Sequence, residues 1–297
     1  MQKAPFERFV VGVDEGTASK HALQRSLSLA RTPSENLRLV HAAHVPTSPW
    51  WSLEQAEVQA LETSVLAQAR AGALEGLRQS LGSAADDVPL EEILRVRGGH
   101  PGEVLIEEAR DFDADMIVLG GRTDRRLLDM GSTARAILAK ATRPVWIQEG
   151  PVEGAERIVA PVDYSEPSRH SLDVAIRLAK QLDVPVTAVH VWSPPNFAYA
   201  GPPDALPGPT YVVENERERA REHLGRWVEE RHGSGVEIEG RYLEGEVVST
   251  LLGSVESTDL VVMGTNGRTG LARFLLGSVA WGVLRNTTGP VVVVPPA

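Results

Sequence analysis

The chain contains no cysteine. A disulfide framework and a thiolate metal site are therefore both excluded, and the composition agrees with a reducing cytoplasm. Positive charge is also in short supply: 30 Lys and Arg against 40 Asp and Glu leave a net charge of −10. Such a surface repels DNA, RNA and anionic lipid at long range, which argues against general polyanion binding. A small anion remains able to bind where backbone N–H groups gather around it. No apolar run approaches a membrane span, and the opening MQKAPFERFVVGVD lacks the apolar core and cleavage site of a signal peptide. A cytoplasmic protein is expected. Catalytic signatures are missing as well. There is no G-x-x-x-x-G-K-[ST] loop, VDYSEPS stands where an S-G-G-x-D-S loop would follow a first strand, and no His or carboxylate pair has metal-ligand spacing.

What is present is repetition. At 297 residues the chain is comfortable for two units. Phe9 to Ala30 (FVVGVDEGTASKHALQRSLSLA) pairs with Ile158 to Ala179 (IVAPVDYSEPSRHSLDVAIRLA). LVHAAHV, ending at Val45, pairs with VPVTAVHV, ending at Val191. DADMIVLGG pairs with TDLVVMGTNG, and GSTARAILAKATRPVWI with GSVAWGVLRNTTGPVVV. Four matches in one order point to duplication. The join Gln148 to Glu156 (QEGPVEGAE) reads as a linker, giving expected domains at 1–148 and 156–297.

Within each copy, short β-branched runs such as FVVGV, MIVLG, LVVMG and PVVVV alternate with helical patterns. Nearly continuous apolar runs suit strands buried on both faces of a parallel sheet. The charged segment Glu214 to His232 suits a solvated helix with Leu224, Trp227 and Val228 turned inward. The alternation implies α/β architecture with an open doubly wound sheet in each copy. Ligands of such sheets sit beyond the carboxyl ends of the strands, at the switch point.

Three features of the second copy converge there. Pro161-Val162-Asp163 ends the first strand; the aspartate either accepts a hydrogen bond from a base or ribose, or caps the turn together with Ser165. His190-Val191 ends the next strand; its backbone can read an adenine edge, while the imidazole suits a packed structural role. Met263 ends a third strand and leads into Gly264-Thr265-Asn266-Gly267, then nine residues, then Gly277-Ser278 opening a helix. The glycines permit close backbone approach, and the free amides of a helix start favour phosphate.

This G-x2-G-x9-G-S pattern after an apolar strand resembles the signature of the universal stress protein family, and the resemblance spans nearly the whole chain as a tandem member. It implies two open five-stranded parallel sheets of the Rossmann-like, adenine nucleotide alpha hydrolase-like type. By that resemblance, Asp163 and the backbone of Val191 hold adenine and its surroundings, with Pro161, Val162 and Met263 alongside. Gly264 and Gly267 follow the ribose and phosphates, and Gly277, Ser278 and Val279 bind the phosphate chain. Arg268 and Arg273 are candidates to approach a γ-phosphate. The implied cofactor is ATP, or ADP or AMP, with Mg²⁺. The family's pairing through the last strand would join PVVVV (Pro290 to Val294) to PVWI (Pro144 to Ile147), an internal pseudo-dimer; a further homodimer and a protein partner remain open.

The first copy departs. Asp14 matches Asp163, His44-Val45 match His190-Val191, and Gly131, Ser132 and Thr133 match Gly277 to Val279. Gly120 and Gly121 are adjacent, however, and the best pairing sets Gly121 against Gly267. Arg122 then matches Arg268, and the extra Arg125 and Arg126 either offset the shorter turn by pairing with phosphate or belong to a solvated loop. The first site is expected to bind more weakly or not at all. The second copy also carries a proline-rich insert, Ser193 to Tyr211, which serves either as a lid whose Phe197 and Tyr199 stack on the base or as a plain surface or partner-contact loop. Three functions stay open: a nucleotide-binding regulatory module in stress response, a slow adenine-nucleotide-splitting enzyme, and a pairing module with vestigial sites. The first is favoured, with at most weak ATPase activity.

Overall fold

A computed structural model describes residues 5–45, 54–121, 131–193, 209–265 and 276–296. In the first half the chain runs β1 (Phe9–Gly12), α1 (Thr17–Leu29), α2 (Pro33–Asn36), β2 (Leu37–Ala43), α3 (Gln55–Leu81), α4 (Leu90–Ile93), β3 (Leu94–Gly98), α5 (Pro101–Asp111), β4 (Met116–Gly120), α6 (Ser132–Lys140) and β5 (Val145–Gln148). In the second half it runs β6 (Arg157–Pro161), α7 (Glu166–Leu182), β7 (Val186–Trp192), α8 (Pro209–Glu229), β8 (Ile238–Glu244), α9 (Val247–Leu252), β9 (Asp259–Gly264), α10 (Ser278–Asn286) and β10 (Val291–Val294). The last residues of the proline-rich insert thus belong to α8, which begins at Pro209, earlier than the Glu214 expected for the charged helix.

Each half forms five parallel strands, and the two fives join into one sheet with the order β3-β2-β1-β4-β5-β10-β9-β6-β7-β8. The join is antiparallel, with Val291 opposite Ile147, Val292 opposite Trp146 and Val293 opposite Val145. The apolar runs of the sequence are buried because both faces are covered. Alternate residues divide between two cores: Phe9, Val11, Met116, Trp146, Ile158 and Val292 face one, and Val10, Ile117, Ile147, Val159, Val261 and Val291 face the other. Each core draws residues from both halves, so burial of apolar surface, the dominant favourable contribution to folding, crosses the repeat boundary.

The linker is fastened by buried polar groups. Gln148, only 1% exposed, accepts from the Trp146 indole (3.0 Å) and Arg25 Nε (3.3 Å). Arg25 also donates to the Glu153 carbonyl at 2.7 Å and stacks on Trp146. Burial pushes the Arg25 pKa below its usual value.

Candidate functional site

In the first half, β1 lies between β2 and β4, so the chain reverses its direction of sheet building there. That reversal opens a crevice at the carboxyl ends of the strands, and a cavity of about 390 Å³ occupies it. Val40 and Ala42, on one side of β2, line it, with Pro101 and Leu105 of α5 opposite. Asp14 lies at the end of β1. Gly120 ends β4 and Gly121 follows it, and Gly131 and Thr133 open α6. At Gly120 a side chain is sterically excluded: an added Cβ would lie 2.4 Å from the Ala18 carbonyl carbon, so glycine lets the start of α1 close onto β4.

Both helix starts offer free donors. The first α6 bond runs from Arg135 N to the Gly131 carbonyl (3.1 Å), and the first α10 bond from Trp281 N to the Gly277 carbonyl (2.9 Å). The amides of Ser132, Thr133 and Ala134, and of Ser278, Val279 and Ala280, therefore have no intrahelical acceptor. The Gly277 amide is already engaged, donating to the Thr265 carbonyl at 2.7 Å. A phosphate at α10 would thus meet the amides from Ser278 onward.

The two aspartates act first on their own turns. Asp14 Oδ1 accepts from the Gly16 amide at 2.8 Å, and Asp163 Oδ1 accepts from the Ser165 amide at 3.1 Å and from its hydroxyl. The amides of Asp14 and Asp163 donate to Ser19 and Ser168 Oγ at 2.9 and 3.4 Å. Both aspartates therefore serve the turn, and Asp14 Oδ2 makes no hydrogen bond among the described residues. Val162 is buried, its amide donating to the Val189 carbonyl at 2.8 Å, and Pro161 pairs with Val189 in the sheet. Met263 is buried in the core beneath Gly264.

Register corrects two pairings read from the sequence. Gly12 sits opposite Val40, and Pro161 opposite Val189, so His190-Val191 corresponds to His41-Ala42. His44 and Val45 lie beyond β2. The same bond marks both histidines: His41 Nδ1 donates to the Val13 carbonyl (3.1 Å) and His190 Nδ1 to the Val162 carbonyl (2.8 Å). The sequence match slipped because the true counterpart reads His41-Ala42, while the second copy's HV dipeptide is found three residues on, at His44-Val45. Likewise, Gly121 N donates to the Gln148 carbonyl as Thr265 N donates to the Val294 carbonyl. Gly121 thus corresponds to Thr265, and the two-residue shortening falls after it. Gly267, Arg268 and Arg273, the arginines at 122, 125 and 126, and Phe197 and Tyr199 lie outside the described residues.

Three contributors escaped sequence reading. Glu149 lines the first cavity beside Gly121, where an added Cβ would come within 2.4 Å of its carboxyl carbon. Its counterpart one residue beyond Val294 is Pro295. The α5 wall has a weak signal: Gly99 before α5 and Gly245 before α9 take φ of 137° and 146°, and their amides donate to the Ala43 and Trp192 carbonyls. A glycine between a strand and a helix at equivalent places in both halves was visible, but the short segments hid the match. Leu284 of α10 reaches the first cavity from the other half, and no sequence signal announces that contact.

Among the described residues no group of three His, Cys, Asp or Glu is placed to hold a metal, and no helix is long and apolar enough to cross a membrane. Fold and crevice together define a tandem Rossmann-like α/β protein with an open crevice at the strand ends of its first half. A family model for the Universal stress protein family matches residues 5–148 and again 154–295, and the chain belongs to that family. It is 29% identical to a universal stress protein of Mycolicibacterium smegmatis, across all of this chain and 99% of that one. It is 35% identical to universal stress protein MJ0531 of Methanocaldococcus jannaschii over 141 residues, 47% of this chain and 81% of that protein. A universal stress protein structure from Archaeoglobus fulgidus matches with a TM-score of 0.60 at 15% identity, covering 98% of both chains; that likeness concerns the fold alone.

Proposed function

We propose that the chain is a regulatory adenine-nucleotide-binding module, taking ATP, ADP or AMP at the switch points of its two halves. The observation carrying this reading is the 390 Å³ crevice of the first half, bounded by a strand-end backbone, a glycine turn and an open helix start. Val40 and Ala42 supply an apolar platform suited to a base. The free amides of α6 and α10 suit phosphate oxygens. The second half repeats the aspartate turn, the strand end at Val191 and the helix start.

The residues fit the phosphate end unequally. Glu149 places a carboxylate beside Gly121, whereas Pro295 brings no charge. The turn after Gly121 is also two residues shorter than the one after Thr265 and offers fewer backbone donors, so the second site is expected to be the tighter one for ATP. With no metal cluster among the described residues, Mg²⁺ would arrive on the phosphates and be held largely by them. When bound, it would neutralise phosphate charge. The chain's own part is to orient the nucleotide: amides from Ser278 onward take phosphate oxygens, and the Val191 backbone takes the base edge. Phosphoryl transfer needs concentrated positive charge at the transferring group, so any hydrolysis is expected to be slow.

The test is mass analysis of small molecules released from the purified protein by denaturation, followed by calorimetric titration with MgATP. One tight site per chain is expected. Two equal tight sites would overturn the asymmetry. No bound nucleotide and no measurable affinity would overturn the reading, leaving the duplicated architecture as a pairing module.

A further inference from the structure

The two halves differ most sharply on the sheet face opposite the base platform. In the second half, His190 is held by its bond to Val162 and is 8% exposed. Tyr164 covers its ring, with centroids 4.3 Å apart and planes at 28°. His223 of α8 stacks beyond Tyr164 at 4.8 Å, and Trp227 meets its edge at 5.4 Å. The Tyr164 hydroxyl donates to the Ala220 carbonyl at 2.7 Å. Tyr164 takes φ of 65° to reach this place, a backbone region that bulky residues rarely adopt.

In the first half, His41 is held by the equivalent bond to Val13. The residue corresponding to Tyr164 is Glu15, and its backbone is not left-handed. The facing helix α3 presents Ala69, Gly72, Ala73 and Gly76 instead of His223 and Trp227. His41 is correspondingly less buried than His190. The result is a cavity of about 330 Å³ between His41 and α3, with Asp14, Glu15 and Gln68 at its polar edge.

We propose that this cavity binds a small planar aromatic molecule carrying a cationic amine, its ring on the His41 imidazole as the Tyr164 ring lies on His190. Stacking at such separations favours an aromatic occupant. The carboxylates of Asp14 and Glu15 set the sign of its tail, since a like charge would be repelled. The cavity adjoins the nucleotide crevice, with which it shares Val13, Asp14 and His41 at the strand ends, but it opens toward α3 on the other face of the sheet: the Val40 and Ala42 side chains point to one side of β2 and the His41 ring to the other.

Tyramine tests it, with 4-hydroxybenzoate as a probe of similar ring and opposite charge. Titrated into the full chain with saturating MgATP present, tyramine is expected to shift the His41 ring-proton resonance upfield, toward the position ring stacking gives His190. Affinity for 4-hydroxybenzoate is expected to be weaker by about tenfold or more. Gly72→Phe, where an added Cβ meets nothing within 4 Å, should fill the cavity and abolish tyramine binding; His41→Leu, which removes the platform, serves as a second variant. No His41 shift up to the solubility limit of tyramine overturns the proposal, as does unchanged affinity in a folded Gly72→Phe or His41→Leu protein. Equal binding of both probes overturns the role given to the carboxylates.

Discussion

Glu149 and Pro295 follow equivalent strands, and the charge difference between them is the clearest asymmetry between the two sites. Replacing Glu149 with Gln keeps size and polarity while removing the negative charge near Gly121. ATP affinity of the first half should rise by roughly tenfold, the order expected for relieving one partly screened like-charge contact. Calorimetry resolving two sites per chain would show it; an unchanged weak site would place the phosphates away from Glu149. In the second half the helix start can be tested directly. Gly277 has φ of −63°, which any residue tolerates, so Gly277→Ala should fold normally and crowd the phosphate. Ser278→Ala removes a hydroxyl donor. Each should weaken MgATP binding by several-fold, the loss of about one modest hydrogen bond or close contact, with the unfolding midpoint unchanged. Unaltered affinity in both would locate the phosphates elsewhere. At this scale the sequence conveyed residue type well and exact correspondence poorly. His41 and His44 are both followed by small apolar residues, and only the ladder of β1 and β2 shows which one matches His190.

Among the secondary-structure elements, the strands were the most legible, because runs such as MIVLG and PVVVV are apolar at successive positions and only a doubly covered sheet accommodates that pattern. The short helix α9 was less legible. Its six residues are too few to set up a clear periodicity, and its start depends on Glu246, whose carboxylate accepts from the amides of Val248 (3.2 Å) and Ser249 (2.8 Å). Those bonds, first the Ser249 amide, then the Ser249 hydroxyl and the Val248 amide, hold the Glu246 carboxyl below its usual pKa. A depressed folded-state pKa contributes stability that is present above the unfolded value and is lost as pH falls through the folded value. Glu246→Gln should therefore lower the melting temperature slightly at neutral pH, and the gap from the parent protein should close on acidification below the carboxylate range. A gap that stays constant into acid would mean the charge plays no part in the cap. The loop chemistry of the glycine turn was legible as composition, yet its register was not: Gly121 looks like Gly267 by residue type but occupies the place of Thr265, because the sheet fixes the residue after each strand before the loop length matters.

For the molecule as a whole, the decisive contact is the antiparallel pairing of β5 with β10. It turns two five-stranded sheets into one of ten strands, and both hydrophobic cores run through it. Unfolding either half alone would expose the buried faces of Trp146 and Val292 together with a row of unpaired backbone groups. One cooperative calorimetric transition is expected for the intact chain; two separate transitions would show that the cores are energetically independent. The same physics fixes the behaviour of an isolated second half, residues 154–297. Its edge would be Val291 to Val294, apolar on both faces and carrying free N–H and C=O groups, the type of strand edge that recruits a partner. That fragment should form a dimer through β10 with two copies replacing the intramolecular pair, and light scattering after size-exclusion chromatography would give its mass. Val292→Lys should return the fragment to a monomer, since it would bring an ammonium group from each copy to the seam. In the intact chain the same substitution buries a charge against Trp146 and should cost about 3 kcal/mol or more, lowering the single transition without splitting it. A fragment that remains monomeric with its native valines would mean that the edge is covered by its own chain.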